Sequence, residues 1–249
     1  MKKLGLNLVL GAAAFAGLMA TSAAAYADTT LSAAVDVTSD YRFRGISQND
    51  RDPAGQGTIN LSLDGGWYAG VWASNINWVF TTTSVEVDIY GGKHFDLGGT
   101  DLNIEAYYYA YPDNPGSVSA SYFEGIVQLT HAFGPVTLTA TGAFSPDFSF
   151  ETGNSAYLEG TAVWAVNDWL SVSGNVGHQW VNSALPEYTH FDIGATATWH
   201  NFALDARFNG TDMNTLQCGA YMGDPHSTCT GGFVAMLTYT IPDLLHPFQ

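Results

Sequence analysis

Basic residues are scarce in this 249-residue chain: 7 Lys and Arg stand against 23 Asp and Glu, a formal net charge of −16. So acidic a protein is a poor partner for nucleic acid or for anionic ligands. Cysteine is almost absent, and both copies, Cys218 and Cys229, fall in one long polar linker. In an exported chain that placement predicts a loop-closing disulfide. A metal site with His226 is the alternative, but a C-x10-C spacing with one His lacks the paired ligands of a zinc centre, and no cofactor is expected. Long apolar runs are missing beyond the N-terminus. The longest stretch free of Asp, Glu, Lys and Arg after residue 27, Gly125 to Pro146, is broken by Gly134-Pro135. Each half alternates with period two, as Val136, Leu138 and Ala140 do against Thr137, Thr139 and Thr141, so it reads as a hairpin and not a membrane helix.

Catalytic motifs are missing as well. There is no G-x-S-x-G or H-E-x-x-H, and His94, His131, His178, His190 and His200 are scattered over strands and turns. The chain is not expected to be an enzyme, since a nucleophile needs an adjacent base. An outer-membrane hydrolase or acyltransferase is the reading that would need one.

The N-terminus carries Met1-Lys2-Lys3, an apolar run from Leu4 to Ala20 and the small-residue pattern Ala25-Tyr26-Ala27. This predicts a cleaved secretory signal peptide over 1–27 and a single domain over 28–249. A permanent anchor is the alternative, although the run is barely long enough to span.

What fills the rest is alternation. Twelve segments, at about 31–47, 57–64, 66–76, 84–95, 101–111, 121–133, 135–145, 156–166, 169–180, 188–199, 202–211 and 231–240, alternate apolar with polar residues. Their linkers are alternately tight, as at Asp64-Gly65-Gly66, Asp96 to Thr100, Gly134-Pro135, Asn167-Asp168 and His200-Asn201, and long, at 48–56, 77–83, 112–120, 146–155, 181–187 and 212–230. The pattern predicts an all-β fold: a transmembrane antiparallel up-and-down β-barrel of about twelve strands, with short periplasmic turns and long extracellular loops. Trp67, Phe95, Phe133, Trp164, Trp169, Trp199 and Phe202 lie beside the tight turns and are expected to form one interfacial girdle. Phe144, Phe148, Trp78, Trp180 and Phe208 are expected to form the other.

Only 12% of residues are charged, so where the charges fall decides the register. Turning the apolar set of each strand to lipid places Asp36, Asp40, Glu86, Asp88, Glu105, Glu124, Glu159, Asp192 and Asp205 inside, with Arg42, Arg44 and Arg207. On the first strand Tyr41 and Phe43 are expected to point out and Asp40, Arg42 and Arg44 in. The segment Ser39-Asp40-Tyr41-Arg42-Phe43-Arg44-Gly45-Ile46-Ser47-Gln48 resembles the N-terminal motif of the TorF family of bacterial porin-like proteins. That resemblance implies an outer-membrane channel and brings no agreed substrate and no catalytic residues.

The functional expectation is a narrow passive channel for small hydrophilic solutes, with a mild cation preference because acids outnumber bases. Outer-membrane lipid and those solutes are the expected partners, and the oligomeric state is left open. A structural or adhesive barrel is the second reading. Asp50, Asp52, Asp113, Asn114, Asp212, Asn214 and Asp224 could attract calcium at the loops, though without EF-hand spacing.

Overall fold

In the computed structural model, described over residues 29–78, 80–181, 185–223 and 228–245, the chain rolls into a closed β-barrel. The expected signal peptide, His226 and Asp224 lie outside the described residues. In chain order the elements are β1 (Thr30–Thr38), β2 (Arg42–Phe43), β3 (Ile46–Ser47), β4 (Ala54–Ser62), β5 (Trp67–Asn75), β6 (Val85–Asp96), β7 (Thr100–Ala110) and β8 (Tyr122–Phe133). There follow β9 (Val136–Ser145), β10 (Ser155–Asn167), β11 (Leu170–Val181), β12 (Tyr188–Trp199), β13 (Phe202–Thr211), α1 (Thr215–Met222) and β14 (Gly232–Ile241).

Twelve strands, β1 and β4 to β14, form the wall, each antiparallel to its sequence neighbour. β1 closes the ring by pairing with β14 on one side and β4 on the other, so that Asp36 lies opposite both Thr238 and Gln56. Closure satisfies the backbone of every strand within the wall and leaves no edge, which is what a sheet in hydrocarbon requires. The tight turns gather at one end, where Gly134 takes φ +63, a conformation that favours glycine. Longer connections occupy the other end.

The strands alternate as their sequences dictate. On β7, Ile104 and Tyr108 are exposed outside the barrel while Asn103 and Tyr109 are buried within it. The tight-turn aromatics Trp67, Phe95, Phe133, Trp164, Trp169, Trp199 and Phe202 are all exposed. Lys93 Nζ lies 4.7 Å from the Trp67 ring and 4.9 Å from that of Phe95, an arrangement suited to a headgroup layer. Between the two ends the outer surface is apolar, and Ile193, 60% exposed, is part of that band. Ile193→Lys is therefore expected to lower the stability of the lipid-folded barrel by about 2–4 kcal/mol. Equilibrium refolding into vesicles measures this, and an unchanged stability would mean that this face does not meet lipid.

Two expectations are corrected. The first predicted strand, 31–47, leaves the wall at Thr38, and β4 starts at Ala54, earlier than expected. Between them β2 and β3 pair with each other as a small separate sheet, Arg42 with Ser47 and Phe43 with Ile46. Tyr41 and Phe43, expected to face lipid, pack inside: Tyr41 stands edge-on to Trp72 with ring centroids 5.3 Å apart, and Phe43 meets Tyr109 at 5.6 Å. Alternation recorded a real β-hairpin here, but it could not say that both of its faces have partners within the lumen.

The second correction concerns the upper girdle. Phe144 and Trp180 are exposed, and Phe208 packs against Phe191 and Phe233, but Trp78 and Phe148 are turned inward and buried. Trp78 donates from Nε1 to Gln48 Oε1 at 3.0 Å and stacks near Tyr111, so a polar anchor draws its ring into the mouth.

The long linker 212–230 contains the helix α1. Asn214 caps it, accepting from the backbone N–H groups of Leu216 and Gln217, while Gln217 returns a bond to the Asn214 N–H. Cys218 and Cys229 are joined as a disulfide, and both are buried against the mouth of the barrel.

Candidate functional site

The lumen is divided by the hairpin β2–β3. Asp40 holds the hairpin's base: its Oδ2 accepts from Arg42 Nε at 2.7 Å and its Oδ1 from Ser47 Oγ at 2.6 Å. Asn49 Oδ1 accepts from the Tyr41 N–H at 3.0 Å, so side chains replace the wall hydrogen bonds that this segment gives up. Arg42 Nη1 also reaches Thr230 O at 2.8 Å, and Ser47 N donates to Thr228 O at 2.9 Å, which ties the hairpin to the disulfide-bonded loop.

At the tip Arg44 crosses the lumen. Its Nη1 and Nη2 donate to Glu124 Oε1 and Oε2 on β8 at 3.0 and 2.7 Å, a bidentate pair buried on both sides. The same Nη1 reaches Gln179 Oε1 on β11 at 2.5 Å, and the guanidinium lies 3.9 Å from the Tyr157 ring centroid on β10. Gly45, at φ +83, lets the tip press against β12 and β13. A Cβ there would fall 2.8 Å from both His190 Cβ and Thr211 Cγ2. Above the tip, Tyr41, Ile46, Trp72, Trp78, Tyr111, Tyr122 and Phe148 pack into one aromatic cluster with Cys218, Met222 and Cys229. The long-loop half of the lumen is thus filled by protein.

Outside the wall, Asp113 fastens neighbouring loops. Slight burial works against its charge, but hydrogen bonds from Ser84 N and Oγ, at 2.8 and 2.6 Å, outweigh it and hold the carboxyl below its ordinary range.

Below the hairpin lies a cavity of about 200 Å³. Tyr41 to Gly45 form its ceiling, and Asp101, Thr130, Thr139 and Ser171 line it toward the tight-turn end. Of the residues singled out in the sequence, Arg42, Arg44, Asp88, Glu105, Glu159, Asp192, Asp205 and Arg207 border this cavity. Asp40, Glu86 and Glu124 are buried at or above the hairpin, and Asp36 is buried in the wall seam against Thr238.

Arg42 and Arg44 are occupied by Asp40 and Glu124, not by the carboxylates of β6 and β7. Arg207 is held between Asp192 and Asp205, at 2.9 and 2.6 Å. Glu86 accepts from Tyr111 and Asp88 from Tyr107, each at 3.0 Å. The lumen is therefore polarised: its arginines lie in the hairpin and on β13, while the β6–β7 wall is acidic.

Tyrosines are the residues that sequence reasoning left out of the site. Tyr68, Tyr90, Tyr107 and Tyr109 all border the cavity, with Tyr90 stacked on Tyr107 at 5.1 Å and Tyr107 beside Tyr109 at 4.6 Å. The signal was present in the inward set Glu105, Tyr107, Tyr109, but only the pairing of β6 with β7 assembles it with Asp88 and Tyr90.

Histidines do not form a catalytic arrangement with a serine or cysteine among the described residues. His190 Nε2 lies 2.7 Å from Tyr157 Oη, and Tyr157 in turn donates to Glu159 at 2.7 Å. His131 and His178 contact the cross-strand hydroxyls of Thr100 and Thr189. No group of three or more potential metal ligands is assembled among the described residues.

Barrels of this kind are known. The NanC porin superposes with a TM-score of 0.56 at 9% identity, covering 84% of this chain and 98% of that one. The KdgM porin, solved in complex with disordered oligogalacturonate, gives 0.58 at 5% identity with the same coverage. The COG4313 outer membrane channel from Pseudomonas putida F1 gives 0.51 at 11% identity, covering 88% of this chain and 98% of that one. At such identities the likeness is one of fold. No curated protein matches the sequence. The profile of a bacterial protein family of unknown function, Gcw_chp, matches residues 22–239.

Proposed function

This chain belongs to the Gcw_chp family, and on that premise we propose that it is an outer-membrane channel for small hydrophilic solutes, exported by a signal peptide over 1–27 and built as one domain over 28–249. The observation that carries the reading is the inside-out chemistry of the closed wall. Its outer face is apolar between aromatic ends, and its inner face holds the charges, which a soluble barrel with a packed core would place the other way round. The resemblance of Ser39 to Gln48 to the TorF motif is what supports a finer placing among those porin-like proteins.

The cavity favours cations. Asp88, Asp101, Glu105, Glu159, Asp192 and Asp205 border it against Arg42, Arg44 and Arg207. A polyanion such as the oligogalacturonate bound by KdgM is the wrong charge for this lumen. Twelve strands enclose more than a packed core and less than a wide pore, so the hairpin decides how much passes.

Planar-bilayer recording on the full mature chain tests this. Discrete conductance steps are expected, with a reversal potential in a KCl gradient shifted toward the K⁺ value. Absence of openings, together with no swelling of liposomes in small sugars or amino acids, would overturn the channel reading. A chloride-directed shift would overturn the cation preference alone.

A further inference from the structure

Apart from His94, which is paired with Asp101 at 2.7 Å, the β6–β7 wall of the cavity offers mainly hydrogen-bond acceptors. Four phenol hydrogens are already committed to neighbours. Tyr68 donates to Asn103 Oδ1 at 3.0 Å, Tyr107 to Asp88 Oδ2 at 3.0 Å, Tyr109 to Glu124 Oε2 at 3.1 Å, and Tyr90 to Asn60 Oδ1. Asn103 Nδ2 is likewise turned to Gln128 Oε1 at 3.1 Å. Each phenol oxygen keeps lone pairs after its hydrogen is spent. Tyr90 and Tyr68 lie over glycines, whose missing Cβ makes room for their rings. A Cβ on Gly70 would fall 2.5 Å from Tyr90 Oη, and one on Gly92 would fall 2.6 Å from Tyr68 Oη.

Two carboxylates stand within this tyrosine surface. Asp88 is 2% exposed and borders the cavity, yet its Oδ1 accepts no hydrogen bond. Glu105 borders the same cavity with the Tyr68 phenol as its hydrogen-bonding neighbour, and neither carboxylate forms an ion pair among the described residues. A buried carboxylate oxygen without a donor is costly. A cation that brings its own N–H donors would supply both the charge and the hydrogen bond.

We propose that this wall is a binding site for small organic cations carrying a primary ammonium group, with Asp88 and Glu105 as the charge partners and Tyr68, Tyr90 and Tyr107 supplying oxygen acceptors. The proposal rests on the channel reading, for which it names the solute class. It excludes quaternary ammonium ions, which carry the same charge but have no N–H. It also separates this wall from the Arg207 cluster opposite, where Asp192 and Asp205 are already neutralised.

The test compares n-butylammonium with tetramethylammonium on the full mature protein in detergent by isothermal titration, and in bilayers by block of the Na⁺ current. Saturable binding of n-butylammonium is expected, at least about tenfold tighter than that of tetramethylammonium, as for a charged hydrogen bond gained or lost. Asp88→Asn and Glu105→Gln should each weaken it by a similar factor while the heat-modified gel shift of the folded barrel persists. Equal affinity for the two cations, or full affinity in both folded variants, would overturn the site. The comparison of the two ligands on the unaltered protein decides the matter even where a variant does not fold. A barrel that conducts Na⁺ but does not distinguish the cations refutes the site and leaves the channel standing. One that binds n-butylammonium selectively without conducting refutes the channel instead.

Discussion

Replacing residues 40–51 with a short Gly-Ser bridge is expected to raise single-channel conductance several-fold and to abolish the aromatic closure of the mouth. The wall does not depend on this segment for its pairing. β1 meets β4 from Thr30 opposite Ser62 through Thr38 opposite Ala54, and β14 completes the ring. The hairpin instead occupies the lumen, with Tyr41 on Trp72, Phe43 on Tyr109 and Arg44 on Glu124. Removing it joins the cavity below to the loops above. Conductance in planar bilayers measures the change, and the heat-modified gel shift reports that the barrel still forms. If a folded deletion variant conducted no better than the parent, the hairpin would be a brace beside the path and not the obstruction within it.

Arg44→Ala is expected to have the second large effect. Glu124 is fully buried, and its two oxygens accept from Arg44 at 3.0 and 2.7 Å, with Tyr109 as the one further donor among the described residues. Truncating one partner of a buried pair typically costs about 3–5 kcal/mol, because the other charge is left in low dielectric without compensation. The variant has a cheaper outcome available: the hairpin detaches at its tip, water reaches Glu124, and the energetic loss is traded for an open lumen. Both a lower unfolding midpoint and larger, noisier current steps are therefore expected. Pairing Arg44→Ala with Glu124→Gln should recover much of the stability, since the stranded charge is gone, without restoring closure. Additive effects of the two substitutions would mean that the ion pair is not what holds the tip.

The two substitutions probe one strained connection. Arg44 and Gly45 take φ +48 and +83 in succession, so the hairpin turns back within two residues, where the guanidinium meets three strands of the far wall. Left-handed backbone at a non-glycine residue persists where surrounding contacts over-determine it. Here those contacts are the ion pair and the Tyr157 face.

Much of this architecture was legible in the sequence. The wall strands follow from period-two alternation, and their order follows from tight turns such as Gly134-Pro135, which permit only antiparallel neighbours. The inward position of Asp192, Asp205 and Arg207 follows too, because each is flanked by apolar residues that need the outer face. The disulfide was legible from two cysteines in one long polar loop. Tyr41, Phe43, Trp78 and Phe148 were not, for a single reason. An apolar residue in a barrel sequence has two places to be buried, lipid outside or a packed cluster within, and local patterning is the same for both.

Local patterning was enough for a closed antiparallel barrel of twelve strands with charge on its inner face, since strand period, turn chemistry and the cost of a charge in lipid are local properties. Contacts across the ring, not patterning, fold the segment after β1 back into the lumen, spend Arg44 on Glu124, and set Asp88 and Glu105 among tyrosines. Those outcomes depend on which strands face one another across the ring, and that distance has no counterpart along the chain.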